Sequence, residues 1–250
     1  MATTDSFHEA FREIHSRINY SEVFQASLDK LRSELNLDSV KSCLMIGPGD
    51  GQHELQFIKK FAANTTNLVA VEPDHESAEQ LRAHLSRSLP AVDSQVIETN
   101  IQSWKGLDDP VDLVLMMLVL HYVHPSERKE FFKKLHEQWL ARGGRVVAVY
   151  PIRAKCPGSA FQIFERLGAS IPSWEDIEAD LLQSGFIKQH AHEMQCVWDM
   201  SNVNEYVLRY FQYLVKQPIT LDDIRRTIQE LFPDERSDQA FYTFVVYQKA

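Results

Sequence analysis

Residues 42–51, SCLMIGPGDG, decide the fold, because a short apolar run here ends directly in a cluster of glycines. Such a run, followed by a tight turn, predicts a buried strand that leads into a helix. The pattern recurs along the chain, with further predicted strands at 68–71, 94–99, 111–118 and 145–150 and helical spacing at 53–61, 76–86 and 125–141. Strands that alternate with helices predict parallel pairing.

The predicted fold class is therefore α/β: a Rossmann-like doubly wound sheet, mostly parallel, with helices on both faces and a C-terminal antiparallel strand at 241–247. Outside that core, helical spacing covers 1–14, 28–35, 174–184, 203–214 and 221–232, and a strand is predicted within 186–198. Ser21 and Thr220 are candidate helix caps. We expect one domain over 1–250, with an N-terminal helical cap over 1–37 and substrate-covering elements within 151–240.

The composition, with 44% hydrophobic and 24% charged residues, is that of a folded protein with a substantial core. The net charge of −9 argues against a nucleic-acid partner, because phosphate binding needs a basic face. Cys43, Cys156 and Cys196 are an odd number of cysteines without metal-ligand spacing, which argues against a disulfide framework. No apolar run is long enough to span a bilayer, so we expect a cytoplasmic monomer without a membrane partner.

A metal site is not expected from the histidines. His190 and His192 alternate along a predicted strand and so share one face, and His121 and His124 lie elsewhere in the sequence. No third ligand is in register with either pair, whereas a zinc site needs at least three protein ligands.

The glycine loop, Gly47-Pro48-Gly49-Asp50-Gly51, is the first candidate binding element. Glycines let the backbone turn tightly and let a ligand approach closely, and the following helix presents unpaired N–H groups. Glu72 follows Gly51 by 21 residues, at the end of the next predicted strand. A carboxylate at this position in a βαβ unit hydrogen-bonds ribose hydroxyls.

Two classes of cofactor fit a glycine loop followed by this carboxylate. A dinucleotide needs a pyrophosphate site, usually built on the spacing G-x-G-x-x-G, whereas this loop reads G-x-G-x-G and carries Asp50, which repels phosphate. S-adenosylmethionine has a ribose and an adenine but no phosphate, and its sulfonium and ammonium groups are cationic. We therefore favour S-adenosylmethionine.

The ordered motifs IGPGDG, AVEP, TNIQSW, DLVLMMLVLHYV and RVVAVY resemble those of class I S-adenosylmethionine-dependent methyltransferases, over residues 38–150. Within that class, the VEP carboxylate, the aromatic end of the fourth strand and a glutamate in the N-terminal helices are similar to the histamine N-methyltransferase family. The resemblance implies that Gly47, Pro48, Gly49 and Gly51 flank the methionine part of the cofactor and that Glu72 holds its ribose. It also places Ser77, Asn100, Met117 and Leu118 at the cofactor.

The resemblance further implies that His121 and Tyr122 face the methyl acceptor and that Glu22 contacts its amine or ring. Glu22 and His121 are then the candidates to hold or accept the acceptor's proton. Tyr20, near Glu22, is expected to pack over the ligand. The aromatic residues after 150 are mostly expected in the core, with Phe164 and Tyr210 as candidates for the pocket, since aromatic faces attract cations.

This sequence departs from the histamine N-methyltransferase pattern at two positions, because Leu118 stands in place of a glutamine and His121 in place of a tyrosine. Both departures argue against histamine itself. We expect N-methylation of a small amine or imidazole, with O-methylation of a small phenol or carboxylic acid as the alternative. Two alternative hypotheses from other functional classes stay open: an NAD(P)-dependent oxidoreductase, and a methyltransferase-like binding protein without activity.

Overall fold

The computed structural model describes residues 4–152, 158–168, 174–215 and 218–250. Nine helices lie within these ranges: α1 (Thr4–Ser16), α2 (Tyr20–Leu31), α3 (Gln52–Phe61), α4 (His75–Ser88), α5 (Pro125–Lys134), α6 (Gln162–Arg166), α7 (Trp174–Gln183), α8 (Glu205–Leu214) and α9 (Leu221–Leu231). The strands in the same ranges are β1 (Ser42–Ile46), β2 (Asn67–Val71), β3 (Asp93–Ile97), β4 (Val111–Met117), β5 (Leu140–Ile152), β6 (Phe186–Asp199) and β7 (Arg236–Lys249).

The strands form one seven-stranded sheet in the described chain, in the order β3-β2-β1-β4-β5-β7-β6. β1 pairs in parallel with β2 and β4, and β2–β3 and β4–β5 are parallel as well. The C-terminal portion of the sheet is antiparallel. The predicted fold class is therefore confirmed, and the strand order reverses direction at β1, where open α/β sheets bind their ligands.

Burial explains why the apolar runs became central strands. Every residue of β1 after Ser42 is buried, and so is all of β4 except Asp112. Strands covered on both faces read as continuous apolar runs rather than as alternating ones. Asp112 fits because its Oδ2 accepts hydrogen bonds from the backbone N–H and the hydroxyl of Ser42, both at 3.0 Å.

The predicted helix over 125–141 was wrong at its C-terminal end. α5 stops at Lys134, a single π-helical turn follows over Leu135–Trp139, and β5 already begins at Leu140, which pairs with Val111 of β4. Gly143 and Gly144, which follow the predicted helix and are typical of helix ends, lie inside β5. Pairing with β4 thus outweighs the local preference of glycine for turns and helix ends.

Three smaller expectations also need correction. β4 ends at Met117, so Leu118 lies beyond the strand and residues Leu120–Tyr122 form a 3-10 turn. β3 ends at Ile97, which leaves Asn100 three residues past the strand instead of at its tip. Ser21 lies inside the first turn of α2 instead of capping it, because α2 already begins at Tyr20.

Other helix starts follow their capping chemistry. The hydroxyl of Thr220 accepts a hydrogen bond from the N–H of Asp223 at 3.1 Å, which confirms it as the cap of α9. Asp74 caps α4 in the same way, with its Oδ2 accepting from the N–H of Ser77 at 2.8 Å. Pro125 occupies the start of α5, where its missing N–H costs nothing.

The chain divides into two compact units. One, the tail unit, comprises Met1–Phe24, Pro151–Ser173 and Glu193–Tyr242, and the other, the core unit, comprises Gln25–Tyr150, Trp174–His192 and Thr243–Ala250. The expectation of a single domain with a cap and covering elements stays a prediction. Of the three cysteines, Cys43 and Cys196 are buried thiols, whereas Cys156 lies outside the described residues.

Membrane-spanning helices and metal clusters are both absent from the described ranges. No helix there is long and apolar enough to cross a membrane. Nor do three or more His, Cys, Asp or Glu side chains of that part of the chain come together in a group that could hold a metal ion.

Candidate active site

The glycine loop lies between β1 and α3 and turns through left-handed backbone conformations. Gly47 and Gly49 both have φ of 57°, and Gly51 has φ of 75°. The turn is closed by two hydrogen bonds of 2.9 Å, from the N–H of Gly47 to the carbonyl of Val71 and from the N–H of Gly51 to the carbonyl of Pro48.

The three glycines differ in what surrounds them. A Cβ on Gly47 would lie 2.4 Å from Cγ2 of Val119, and one on Gly51 would lie 2.3 Å from Cδ1 of Leu81. A Cβ on Gly49 would meet nothing within 4 Å. Gly47 and Gly51 therefore serve the packing of the loop, whereas Gly49 opens onto space that a ligand can occupy.

Glu72 directly follows β2, at the place that the sequence spacing predicted, and its role in holding a ribose stays a prediction. Its side chain is buried, and its Oε2 accepts a hydrogen bond from the N–H of Gly49 at 2.8 Å. Its Oε1 accepts another from the N–H of Asp74 at 3.0 Å. A carboxylate has about four acceptor sites, so these two backbone bonds leave room for hydroxyl donors of a ribose.

A second buried carboxyl, Glu54, lies in the first turn of α3, and the sequence analysis missed it. The pKa of Glu54 is raised to about 8, mainly by burial; a backbone hydrogen bond opposes this rise, and the negative charges of Asp50 and Glu72 add to it. Glu54 is therefore mostly protonated at neutral pH. Its position could have been suspected from the sequence, because it precedes Phe57 and Ile58 by three and four residues, on an apolar helix face.

Leu118 follows β4 in a conformation that non-glycine residues rarely adopt, with φ of 57°. Its N–H donates to the carbonyl of Val149 at 2.9 Å, so neighbouring β5 holds the turn in place. A left-handed residue of this kind costs about 1–2 kcal/mol and concentrates at functional sites. Met117 immediately before it is buried, and Val119 immediately after it is the residue against which Gly47 packs.

Tyr122 and His121 lie in the 3-10 turn after β4, and the charge of Glu72 acts on the Tyr122 phenol. Burial raises the pKa of the Tyr122 phenol, and the charge of Glu72 raises it as well, although half of the side chain is exposed. The rings of His121 and Tyr122 have centroids 4.0 Å apart, and His121 is 6.4 Å from the ring of Tyr150, at the end of β5. The structure thus brings together the glycine loop, Glu72, Tyr122 and His121.

Ser77 and Asn100 are less closely joined to this group. The backbone of Ser77 belongs to the capped first turn of α4, two residues after the start of the helix, and its side chain is partly buried. Asn100 is exposed, and its carbonyl accepts the N–H of Ser103 at 3.0 Å in a turn. Their roles at the adenosine end of the cofactor stay predictions.

The remaining predicted substrate residues belong to the tail unit. Glu22 is exposed and lines an open depression of about 910 Å³, together with Arg17, Asn19, Asp199 and Arg236 among others. Tyr20 is buried, with ring centroids 5.7 Å from Phe24 and 5.2 Å from Tyr242. A direct role of these residues in binding the acceptor remains a prediction.

Phe164 and Tyr210 lie together in a buried aromatic cluster of the same unit. Their ring centroids are 6.4 Å apart, and Phe164 is 5.1 Å from Phe211. Packing of this kind is what the sequence analysis expected for most of the aromatic residues after 150, and the pocket role of these two stays a prediction.

The residues of the core unit fit S-adenosylmethionine. The open side of Gly49 offers a close approach to the backbone, and the carboxylate of Glu72 accepts ribose hydroxyls. The acidic groups Asp50 and Glu72 near the loop suit a cofactor whose ammonium and sulfonium are cationic.

Comparison with known proteins agrees with this geometry. Residues 43–144 match the sequence family described as a methyltransferase domain. That segment contains the glycine loop, Glu72 and the 3-10 turn with His121 and Tyr122. No curated protein sequence matches the chain.

Solved structures show the same fold at low sequence identity. A putative methyltransferase from Bacillus halodurans is 15% identical, with 90% of this chain and 98% of that one covered and a TM-score of 0.61. A geranyl diphosphate C-methyltransferase from Streptomyces coelicolor, solved with Mg²⁺, geranyl diphosphate and S-adenosylhomocysteine, is also 15% identical, with coverage of 90% and 77% and a TM-score of 0.55. The [4+2]-cyclase SpnF is 15% identical as well, with coverage of 90% and 80% and a TM-score of 0.56.

Residues 43–144 thus match a methyltransferase domain, and the chain shares its fold with solved methyltransferase structures.

Proposed function

We propose that this protein is an S-adenosylmethionine-dependent methyltransferase and that it transfers the methyl group to a nitrogen of a small molecule, an amine or an imidazole of the kind used by the histamine N-methyltransferase family. The observation that carries the proposal is the contact of the His121 imidazole with the ring of Tyr122, at a centroid distance of 4.0 Å, together with the effect of the Glu72 charge on the Tyr122 phenol. A base next to the cofactor is what N-methylation of a protonated amine requires.

S-adenosylmethionine, when bound, supplies an activated methyl group on a sulfonium. The protein then has to align the acceptor and exclude water, and good alignment alone is worth about 7–11 kcal/mol in intramolecular reactions. In this proposal the turn containing Leu118 orients the acceptor side of the site, and the Tyr122 ring packs against the acceptor. The nitrogen of an ammonium ion has no lone pair for the attack, so His121 or Glu22 accepts the extra proton and leaves the neutral amine.

The exposed carboxylate of Glu22 suits an amine-binding role, because it lies in a depression that also holds the polar side chains of Asn19 and Asp199. The assignment of Glu22 itself rests on the resemblance of the N-terminal helices to the histamine N-methyltransferase family. The missing glutamine at Leu118 and the presence of His121 favour an acceptor other than histamine.

A small-molecule acceptor also agrees with the relatives of this fold, since the Streptomyces coelicolor enzyme was solved in complex with geranyl diphosphate. The net charge of −9 supports the same view by arguing against nucleic acid. A cytoplasmic monomer remains our prediction from composition.

An acceptor screen with isotopically labelled S-adenosylmethionine tests the proposal. The panel contains imidazoles, primary and secondary amines, phenols and small carboxylic acids, and the position of the label is read by NMR or mass spectrometry. We expect label on a nitrogen, and a His121→Phe variant that still binds S-adenosylhomocysteine should lose most of the turnover.

Other outcomes of the screen are equally informative. Label on a phenolic or carboxylic oxygen would replace N-methylation with the O-methylation alternative. Cofactor binding without transfer to any member of the panel would favour the non-catalytic reading, and SpnF shows that this fold also occurs in a protein named for cyclisation.

A further inference from the structure

An arginine of the core unit is buried in a position that the proposed chemistry does not use. Arg128 lies in the first turn of α5, which begins three residues after the 3-10 turn containing His121, and only 5% of it is exposed. Its Nε forms an ion pair with Oδ2 of Asp180 in α7 at 3.2 Å, and Asp180 is 9% exposed.

The ion pair leaves part of the guanidinium unsatisfied. Nε and Nη1 of Arg128 are both buried, and among the residues that the structure describes neither has a hydrogen-bond partner, so the contact with Asp180 is an ion pair without hydrogen-bond geometry. A guanidinium carries five donors in a fixed fork, and a buried donor of a charged group that stays unpaired is costly. The guanidinium of Arg128 therefore needs a further acceptor to pair its buried donors.

The charge of Arg128 also acts on Tyr150, an aromatic residue near His121. Burial raises the pKa of Tyr150, and the positive charge of Arg128 opposes that rise, while Asp176 and Glu175 add to it. The Tyr150 ring is 6.4 Å from His121, which contacts Tyr122. Ring contacts thus run from Tyr122 through His121 to Tyr150, and the charges of Glu72 and Arg128 act on the first and the last of these rings.

We propose that Arg128 is a specificity residue that binds a carboxylate of the methyl acceptor, so that the acceptor is an amino-acid-like amine or imidazole and not a bare amine. Asp180 holds the guanidinium in position, and Nη1 donates to the carboxylate. Arg128 suits this task because planar guanidinium groups recognise carboxylates through parallel hydrogen bonds. This inference rests on the proposed N-methylation for the choice of the reacting atom. The contact between Arg128 and the carboxylate is tested separately, by measurements of binding affinity.

The test uses acceptor pairs that differ only in a carboxylate, namely histidine with histamine and phenylalanine with phenethylamine. Binding to the complex of the full chain with S-adenosylhomocysteine is measured by calorimetry, which needs no turnover. The carboxylated member of at least one pair should bind about tenfold or more tightly than its partner, as a charge-assisted hydrogen bond to a buried group allows.

The variant Arg128→Met/Asp180→Leu removes both charges at once, because replacing one partner alone would leave a buried unpaired charge and destabilise the fold. We expect it to abolish the preference for the carboxylate while leaving the affinity for the decarboxylated partner and for S-adenosylhomocysteine within about threefold. Arg128→Lys keeps the charge but not the fork and should retain only part of the preference. The matched control Arg166→Met/Glu230→Leu removes an exposed pair, in which both side chains are more than half exposed, and should change nothing.

The possible results separate the two proposals. An equal preference in the wild type and in the Arg128→Met/Asp180→Leu variant would overturn the role of Arg128, and so would the failure of every carboxylate in the panel to bind. An Arg128-dependent preference without any labelled nitrogen product would support the carboxylate contact and count against N-methylation.

Discussion

Glu72 holds the N–H groups of Gly49 and Asp74 through one carboxylate, and we expect the same carboxylate to hold the ribose. Glu72→Gln replaces one oxygen by an amide nitrogen, which cannot accept from a backbone N–H. Hydrogen bonds to a charged group contribute about 1.5–3 kcal/mol, so the affinity for S-adenosylhomocysteine should fall about 10- to 100-fold. Titration calorimetry measures the change.

The matched control for this variant is Glu98→Gln. Glu98 is exposed just after β3 and pairs with His75, so its replacement should leave the cofactor affinity unchanged. Equal losses in both variants would indicate a general effect of charge and would remove the specific role of Glu72.

Gly47 and Gly49 have the same φ of 57° but different surroundings, which makes them a matched pair. Alanine at either position should cost about 1–2 kcal/mol for its left-handed backbone. Gly47→Ala additionally collides with Val119 and should lose more stability than Gly49→Ala. Gly49→Ala should instead lose more affinity for S-adenosylhomocysteine, because its methyl group points into open space at the loop.

Urea unfolding and calorimetry on both alanine variants give the two quantities. If Gly49→Ala bound S-adenosylhomocysteine like the wild type, the cofactor would not pass over the loop at this point. The glycines were visible in the sequence, but the difference between them was not, because it depends on Val119 and Leu81, which are distant in the chain.

Glu54 should make the stability of the protein depend on pH. Because its pKa is raised from the ordinary value of 4.5 to about 8, the folded protein holds a proton that the unfolded chain has released between these values. The free energy of unfolding therefore falls as the pH rises from about 4.5 to about 8 and stays low above it. Glu54→Gln should flatten this decline.

Urea unfolding at pH 5, 6.5 and 8.5 compares the wild type with Glu54→Gln. Asp93→Asn is a suitable control, because Asp93 is exposed at the start of β3. Parallel curves for the wild type and Glu54→Gln would contradict the protonated state of Glu54.

Helix starts in this chain follow local rules, and one of them offers a simple test. The side chain of Thr220 accepts from the N–H of Asp223 at 3.1 Å at the start of α9. Thr220→Ala should lower the free energy of unfolding by about 1 kcal/mol, whereas Thr220→Ser should restore most of it. Chemical denaturation of the wild type, Thr220→Ala and Thr220→Ser measures these free energies. An unchanged midpoint in Thr220→Ala would show that the cap does not stabilise α9.

Elements whose limits depend on distant partners were harder to predict. β5 begins at Leu140 because it pairs with Val111 of β4, although Gly143 and Gly144 locally favour a helix end. The fourth strand was expected to run to Leu118, the last residue of its apolar run, whereas β4 ends at Met117. Instead Leu118 takes a left-handed conformation, held by its hydrogen bond to Val149. The apolar pattern of a sequence indicates which residues are buried, but it does not show where the pairing between two strands ends.

The architecture of the whole chain was predictable because alternating strands and helices leave few arrangements open. The candidate site was predictable in part. The loop, Glu72 and the residues after β4 follow from the rule that ligands bind beyond the carboxyl ends of parallel strands. Arg128 was not found, although its place three and four residues before Phe131 and Phe132 put it on an apolar helix face.

The central claim is that S-adenosylmethionine binds at the glycine loop with its ribose on Glu72. A crystal structure of the full chain with S-adenosylhomocysteine tests it most directly. We predict that both ribose hydroxyls lie within hydrogen-bonding distance of the Glu72 carboxylate and that the homocysteine part passes Gly49. Density for the ligand away from Glu72, or a loop without ligand at a saturating concentration, would contradict the account.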